Sequence, residues 1–157
     1  MKQQSRVLGS REMRGIFLPV GGRSLILPNV AVAELVGFQE PEPEAGAPDW
    51  LLGNIQWRGR SIRVLSFGAA LGDGPGDYRG QRLRIAVVNT LSGNPELPYI
   101  GVLTMGISRL VRVSADNLTA DPSGAVNSDL VLQPVLVGEQ PAWIPNLDRL
   151  EQMVAGL

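Results

Sequence analysis

Hydrophobic positions along this chain gather in short runs that Gly, Pro or charged residues interrupt before they reach helical length. Ile16-Phe17-Leu18-Pro19-Val20 and Arg23-Ser24-Leu25-Ile26-Leu27 flank Gly21-Gly22, which predicts two strands around a two-residue turn. Val30-Ala31-Val32-Ala33-Glu34-Leu35-Val36 fits neither the helical nor the strand period cleanly, and its length predicts a strand with a bend. Leu51 to Trp57 and Ser61 to Leu65 form the next strand pair, joined across Arg58-Gly59-Arg60 with Gly59 as the turn residue. Arg84 to Val88, Tyr99 to Leu103, Leu130 to Val137 and Ala142 to Ile144 read as further strands. Near the end, Asn146 caps a helix whose Leu147, Leu150 and Val154 make one apolar stripe that docks on the strands. Many short strands, little helix, and Gly or Pro at most junctions predict small antiparallel barrels.

Between these elements the chain changes character. Residues 1–13 are polar, carry Lys2, Arg6 and Arg11, and lack periodicity, so they predict a flexible arm. The segment from Gln39 to Pro48 combines three prolines with Glu40, Glu42 and Glu44, which predicts an exposed loop. The Gly/Pro-rich stretch near 72–80 predicts a junction between halves. Sliding the chain by 75 positions superposes Leu25-Ile26-Leu27 on Ile100-Gly101-Val102 and Leu35-Val36 on Leu110-Val111, which suggests related halves. Asp116 to Asp129 reads as a polar connection.

Composition narrows the chemistry. The 157 residues are 44% hydrophobic and 18% charged, enough for a substantial core without disulfides or a structural metal. A formal net charge of -1 creates no global field toward nucleic acid or an anionic membrane. The chain has no Cys and no His, which excludes thiol chemistry, cysteine-zinc sites, Ser-His-Asp triads and H-E-x-x-H metal sites, and fits a reducing cytosol. No apolar run is long enough to cross a bilayer, so a cytoplasmic chain without direct membrane insertion is expected.

Several local features invite a chemical reading and fail it. The Gly72 to Gly76 stretch has Asp77 where a G-x-G-x-x-G cradle needs glycine, and no Lys-Ser/Thr follows as in a P-loop. Glu40, Glu42, Glu44 and Asp49 lack calcium-loop spacing and read as a solvated charge run. Asn117-Leu118-Thr119 matches a glycosylation sequon, which has no consequence without an export signal. Trp57 and Trp143 lie in apolar runs, where core packing accounts for them better than base stacking. No cofactor or metal site emerges. An enzyme using Glu or Asp, and a β-barrel binding a small ligand or oligonucleotide, stand as rivals to a protein-binding role.

The informative cluster runs from Gly53 to Leu65 and holds Arg58, Arg60 and Arg63. Arg58 and Arg60 flank the turn, so a guanidinium projects outward, where it can fork onto a partner's carboxylate or amide oxygen. Gly53-Asn54-Ile55-Gln56-Trp57-Arg58-Gly59 resembles the CheW family pattern of Gly, four residues, Arg-Gly and then a strand. CheW proteins are scaffolding adaptors of bacterial chemosensory arrays. Val32-Ala33-Glu34-Leu35 is similar to the family's Val-x-Glu-Ile segment, and the proline-bearing loop, the terminal helix and the strand spacing from about Gly15 to Leu157 match as well.

The resemblance implies a mainly β fold of two small antiparallel five-stranded β-barrels (SH3/OB-like), packed together with a short C-terminal helix in a single domain over residues 14–157. It implies no catalysis and no cofactor. The implied role is bridging the cytoplasmic tips of methyl-accepting receptors to the regulatory domain of a CheA-type histidine kinase, at membrane-associated arrays. By matching position, Arg58 is the receptor-coupling arginine, Val32, Glu34 and Gly53 lie near it on the partner-binding face, and Gly59 answers a backbone requirement. The family has Pro where Arg63 stands and Asp or Asn where Ser66 stands, which marks a divergent member. Divergent members also serve the systems that control type IV pili and twitching motility, an alternative output.

Overall fold

The computed structural model describes residues 12–74, 76, 78 and 80–157. The expected N-terminal arm lies outside the described residues except for its last two positions, and Met13 already opens the first strand. Eleven strands follow one another: β1 (Met13–Pro19), β2 (Ser24–Pro28), β3 (Val32–Gly37), β4 (Leu51–Trp57), β5 (Arg60–Leu65), β6 (Leu83–Asn89), β7 (Tyr99–Met105), β8 (Arg109–Val113), β9 (Leu118–Ala120), β10 (Val131–Val137) and β11 (Gln140–Pro145). The terminal helix α1 (Leu147–Ala155) starts as expected, with the Asn146 side chain accepting from the Arg149 N–H at 3.1 Å. Among the described residues, no helix is long and apolar enough to cross a membrane.

The strands form two sheets, a six-stranded one in the order β8-β1-β2-β11-β10-β9 and a five-stranded one in the order β3-β6-β7-β5-β4. The sixth strand, β9, lies inside the stretch expected to be a polar connection; its three residues pair with β10 beyond the reach of any periodicity signal. The two sheets repeat one plan. In each, an outer strand pairs antiparallel with the first strand of a hairpin, whose second strand pairs parallel with a strand of a second hairpin. Both second hairpins carry an irregularity at the equivalent place, between Leu51 and Gly53 in β4 and between Val131 and Gln133 in β10.

The chain does not give one sheet to each half. β1 and β2 belong to the six-stranded sheet, β3 through β7 to the other, and β8 onward to the first again. The Gly/Pro-rich stretch near 72–80 therefore joins β5 to β6 within one sheet and is not the boundary between the sheets. The internal repeat maps β2 onto β7 and β3 onto β8, so each sheet takes strands from both repeats.

This exchange explains the apolar runs. In β1, Ile16 and Leu18 face the core shared by the sheets, while Phe17 faces the interior of the six-stranded sheet. In β6, Ala86 and Val88 face the shared core, and Ile85 and Val87 face the interior of the five-stranded sheet. Strands buried on both faces read as continuous hydrophobic runs. Leu150 and Val154 of α1 enter the shared core, each stabilising the fold by roughly 1.5–3 kcal/mol through burial. Buried Glu151 accepts from the N–H groups of Leu91 at 2.8 Å and Ser92 at 3.2 Å, tying the helix to the β6–β7 loop.

Candidate functional site

Trp57 and Arg60 are paired residues of β4 and β5, leaving Arg58-Gly59 as a two-residue hairpin turn. In the type I′ form, which follows the sheet twist, a turn of this length needs positive φ at both positions. Gly59 meets that need at φ 76°, and Arg58 adopts φ 48°, the one positive φ among the described non-glycine residues. The left-handed conformation costs an arginine about 1 kcal/mol relative to glycine. Its side chain is 70% exposed, so packing does not return that energy.

Arg58 Nη2 donates to Glu34 Oε1 at 3.0 Å, and Trp57 Nε1 donates to the same oxygen at 3.0 Å. The Arg58 guanidinium also lies over the Trp57 ring, 5.0 Å from its centre. Trp57 meets Tyr99 edge-on at 4.8 Å, and Arg60 covers Tyr99 at 5.6 Å. Two aromatic rings thus carry a guanidinium on either side, at the tip of one hairpin. The ladders leave β3 and β4 at opposite ends of the sheet order, and these contacts cross that seam, as does Gln39 Nε2 donating to the Gln56 carbonyl at 3.2 Å.

The backbone aims Glu34 at this cluster. Val32 pairs with Val88 but Glu34 pairs with Val87, so one extra residue is accommodated at Ala33. The bulge turns Val32 toward the shared core and Glu34 toward the Trp57 side, although the two are only two positions apart. The expectation that Val32 and Glu34 share a partner-binding face therefore does not match their placement: Val32 is half-buried against the core. Gly53 is also separated from the surface cluster. It is buried at φ 136°, and a Cβ there would collide with the Glu42 carbonyl. Its role is to let the Glu42 backbone pair with Asn54, at 2.8 and 2.9 Å. The structure brings Arg58 and Glu34 together, with Gly59 as the turn residue, and does not bring Gly53 or Val32 to them.

The two departures from the family pattern have local partners. Arg63 Nε donates to Glu44 Oε1 at 2.9 Å, and Arg63 Nη1 donates to the Val154 carbonyl at 3.2 Å, linking β5 to the proline-bearing loop and to α1. Bonds from Arg63, and then from Asn54, hold the Glu44 carboxyl below its ordinary pKa. That loop is tied down through Glu44 and is not merely a solvated charge run. Buried Ser66 accepts from the Ala69 N–H at 3.3 Å, the turn-capping role an Asp or Asn would fill.

In the sequence Tyr99 reads only as the start of a strand and Glu44 only as one of a solvated run of acids; only the fold reveals their partners. Of three clefts on the described surface, one has Asp73 as the carboxylate among its described lining residues, a second has Glu96 and a third Glu40. Trp143 donates its Nε1 to the Gly124 carbonyl at 2.9 Å, and Trp57 is buried beneath Arg58, so neither indole forms an open stacking platform.

A model of the CheW-like domain family matches residues 14–154 of this chain. Among solved structures, the chain is similar to the crystal structure of scaffolding protein TtCheW from Thermoanaerobacter tengcongensis, with a TM-score of 0.70 and 16% sequence identity. That match covers 87% of this chain and 86% of the other, and at this identity it speaks for the fold. No curated protein matches the sequence.

Proposed function

This chain belongs to the CheW-like domain family, and on that premise we propose that it is a non-catalytic adaptor of a bacterial chemosensory system, coupling methyl-accepting receptors to a CheA-type histidine kinase. It works in the cytoplasm, recruited to membrane-associated receptor arrays. Arg58 is the central contact, Glu34 positions its guanidinium, and Gly59 shapes the turn. The observation that carries this reading is the left-handed Arg58 at an exposed hairpin tip. A residue that the local backbone disfavours, on a surface that gains little from its ion pair, has its use outside the monomer.

An adaptor needs two surfaces held at a fixed separation, so that occupancy of one biases the geometry of the other. The shared core serves that purpose: residues from both sheets and from α1 pack in one cluster. Partner binding at the Arg58 turn exchanges the exposed Glu34 pair for a desolvated contact in which the guanidinium sets register. In a co-sedimentation assay with receptor cytoplasmic fragments and the kinase, Arg58→Ala is expected to weaken receptor capture by about 30-fold, the scale of a hot-spot arginine at about 2 kcal/mol. Unchanged capture by a folded variant would remove Arg58 from the interface.

A further inference from the structure

Beside the Arg58 turn lies a second feature, a cleft of about 450 Å³ between the start of β5 and the Pro95–Pro98 stretch that precedes β7. Its charged lining residues are Arg60, Arg63 and Glu96. Arg63 is already committed to Glu44 and the Val154 carbonyl. Arg60 differs: among the described residues its side chain has neither a carboxylate nor a hydrogen-bond acceptor, and its guanidinium lies over the face of Tyr99. Stacking restrains the guanidinium while leaving its N–H edges available, which lowers the ordering cost of forming a forked bond.

The opposite wall is already ordered. Thr90 N donates to the Pro98 carbonyl at 3.1 Å, Leu97 N to the Asn94 carbonyl at 3.1 Å, and Glu96 N to Asn94 Oδ1 at 3.0 Å. Pro95 and Pro98 have no backbone N–H, which leaves few backbone donors on that wall, and Leu97 anchors it to the shared core. Asn54 is held by Glu44 at 2.8 Å. The cleft therefore presents one available cation, Arg60, a proline-bearing wall, and a single acid, Glu96.

We propose that this cleft docks an extended acidic segment of a protein partner, with one carboxylate forked onto Arg60 and the chain lying along the Pro95–Pro98 wall. Glu96 repels a second acid placed beside it, so the partner's acid meets Arg60 and a neutral or basic residue faces Glu96. That the segment belongs to an array partner rests on the adaptor reading; the recognition of a carboxylate does not.

The test uses the full chain, isotope-labelled for NMR, and two capped tripeptides, N-acetyl-Gly-Glu-Gly-amide and its Gln counterpart, at millimolar concentration. The Glu peptide is expected to give saturable shifts at the Arg60 side-chain N–H and the Ser61 and Leu97 amides, at least roughly tenfold stronger in apparent affinity than the Gln peptide. Arg60→Gln abolishes that preference, and Glu96→Gln tightens binding by roughly twofold. Equal responses to both peptides, or shifts centred on Arg58, overturn the proposal. The same Arg60→Gln variant is then tested with the kinase and receptor fragments. If it captures both as well as the unmodified chain, the cleft has no part in partner docking, while the adaptor reading stands. If the Glu peptide binds as expected but neither fragment is captured by the unmodified chain, the adaptor reading fails and the acid-binding cleft stands.

Discussion

Arg23 meets Asp121 at 2.7 Å with 14% and 10% of the two side chains exposed, whereas Arg58 meets Glu34 at 3.0 Å with 70% and 40% exposed. The chemistry is the same and the surroundings are opposite. Arg23 Nη2 also donates to the carbonyls of Val135 at 3.2 Å and Ala142 at 3.1 Å, so one guanidinium joins β10, β11 and the turn at Asp121. Removing it takes a donor from Asp121 Oδ2 and from the carbonyls of Val135 and Ala142. Arg58 satisfies only a carboxylate that water can also reach. Burial makes the first pair part of the fold, and exposure leaves the second free to change partners.

The largest expected effect is on the buried side of this contrast. Arg23→Ala should lower the thermal midpoint by on the order of 10 °C, read by circular dichroism, because breaking a buried pair strands the groups that remain. A shift as small as that of an exposed arginine would erase the distinction. Gly53→Ala comes next, destabilising by about 2–3 kcal/mol in urea, since the added methyl must displace the Glu42 backbone from a strained position. An unchanged urea midpoint would mean that the loop yields without cost.

Acid sharpens the same contrast. The Ser123 hydroxyl, and then Arg23, hold the Asp121 carboxyl below its ordinary pKa. For Glu151, burial pushes upward but is outweighed by the Ser92 hydroxyl and the N–H groups of Leu91 and Ser92, so its pKa is also lowered. A carboxyl lowered on folding contributes stability that is complete above its unfolded value, about 4, and is lost as pH falls through the folded one. The urea midpoint should therefore stay level from about pH 7 to 5 and decline below about pH 4, with a shallower decline in Glu151→Gln. An equally steep decline in that variant would take Glu151 out of the acid response. The smallest effect belongs to the exposed pair: Arg58→Ala should change unfolding stability by no more than about 0.5 kcal/mol, measured in the same denaturant series.

Much of this architecture was legible in the chain. The β4–β5 hairpin, Gly59 as its turn residue and the Asn146-capped helix follow from local pattern, since turn chemistry and helix capping act over a few residues. The expected Arg58-Gly59-Arg60 turn is one residue shorter, because Arg60 pairs with Trp57. The bend expected near Val32 is the bulge that separates Val32 from Glu34. The allocation of strands was not legible, because a hydrophobic run states that both faces are buried and not against which sheet. The repeat relating Leu25 to Ile100 was visible, yet nothing local shows that the repeats exchange strands. Gly53 illustrates the same limit at one residue: the family pattern marks the position, and only the approach of Glu42 explains it. An outward guanidinium at this turn was legible and the family pattern pointed to Arg58, while its pairing with Glu34, 24 positions away, required the fold.

The central claim is that Arg58 serves a partner at the expense of its own backbone, and Arg58→Gly separates the two. Glycine suits the left-handed turn, so the variant should be as stable as the unmodified chain or up to about 1 kcal/mol more stable. Titration calorimetry of that variant against a receptor cytoplasmic fragment is predicted to show affinity about 30-fold weaker than the unmodified chain. Undiminished affinity in the stabilised variant would contradict the account.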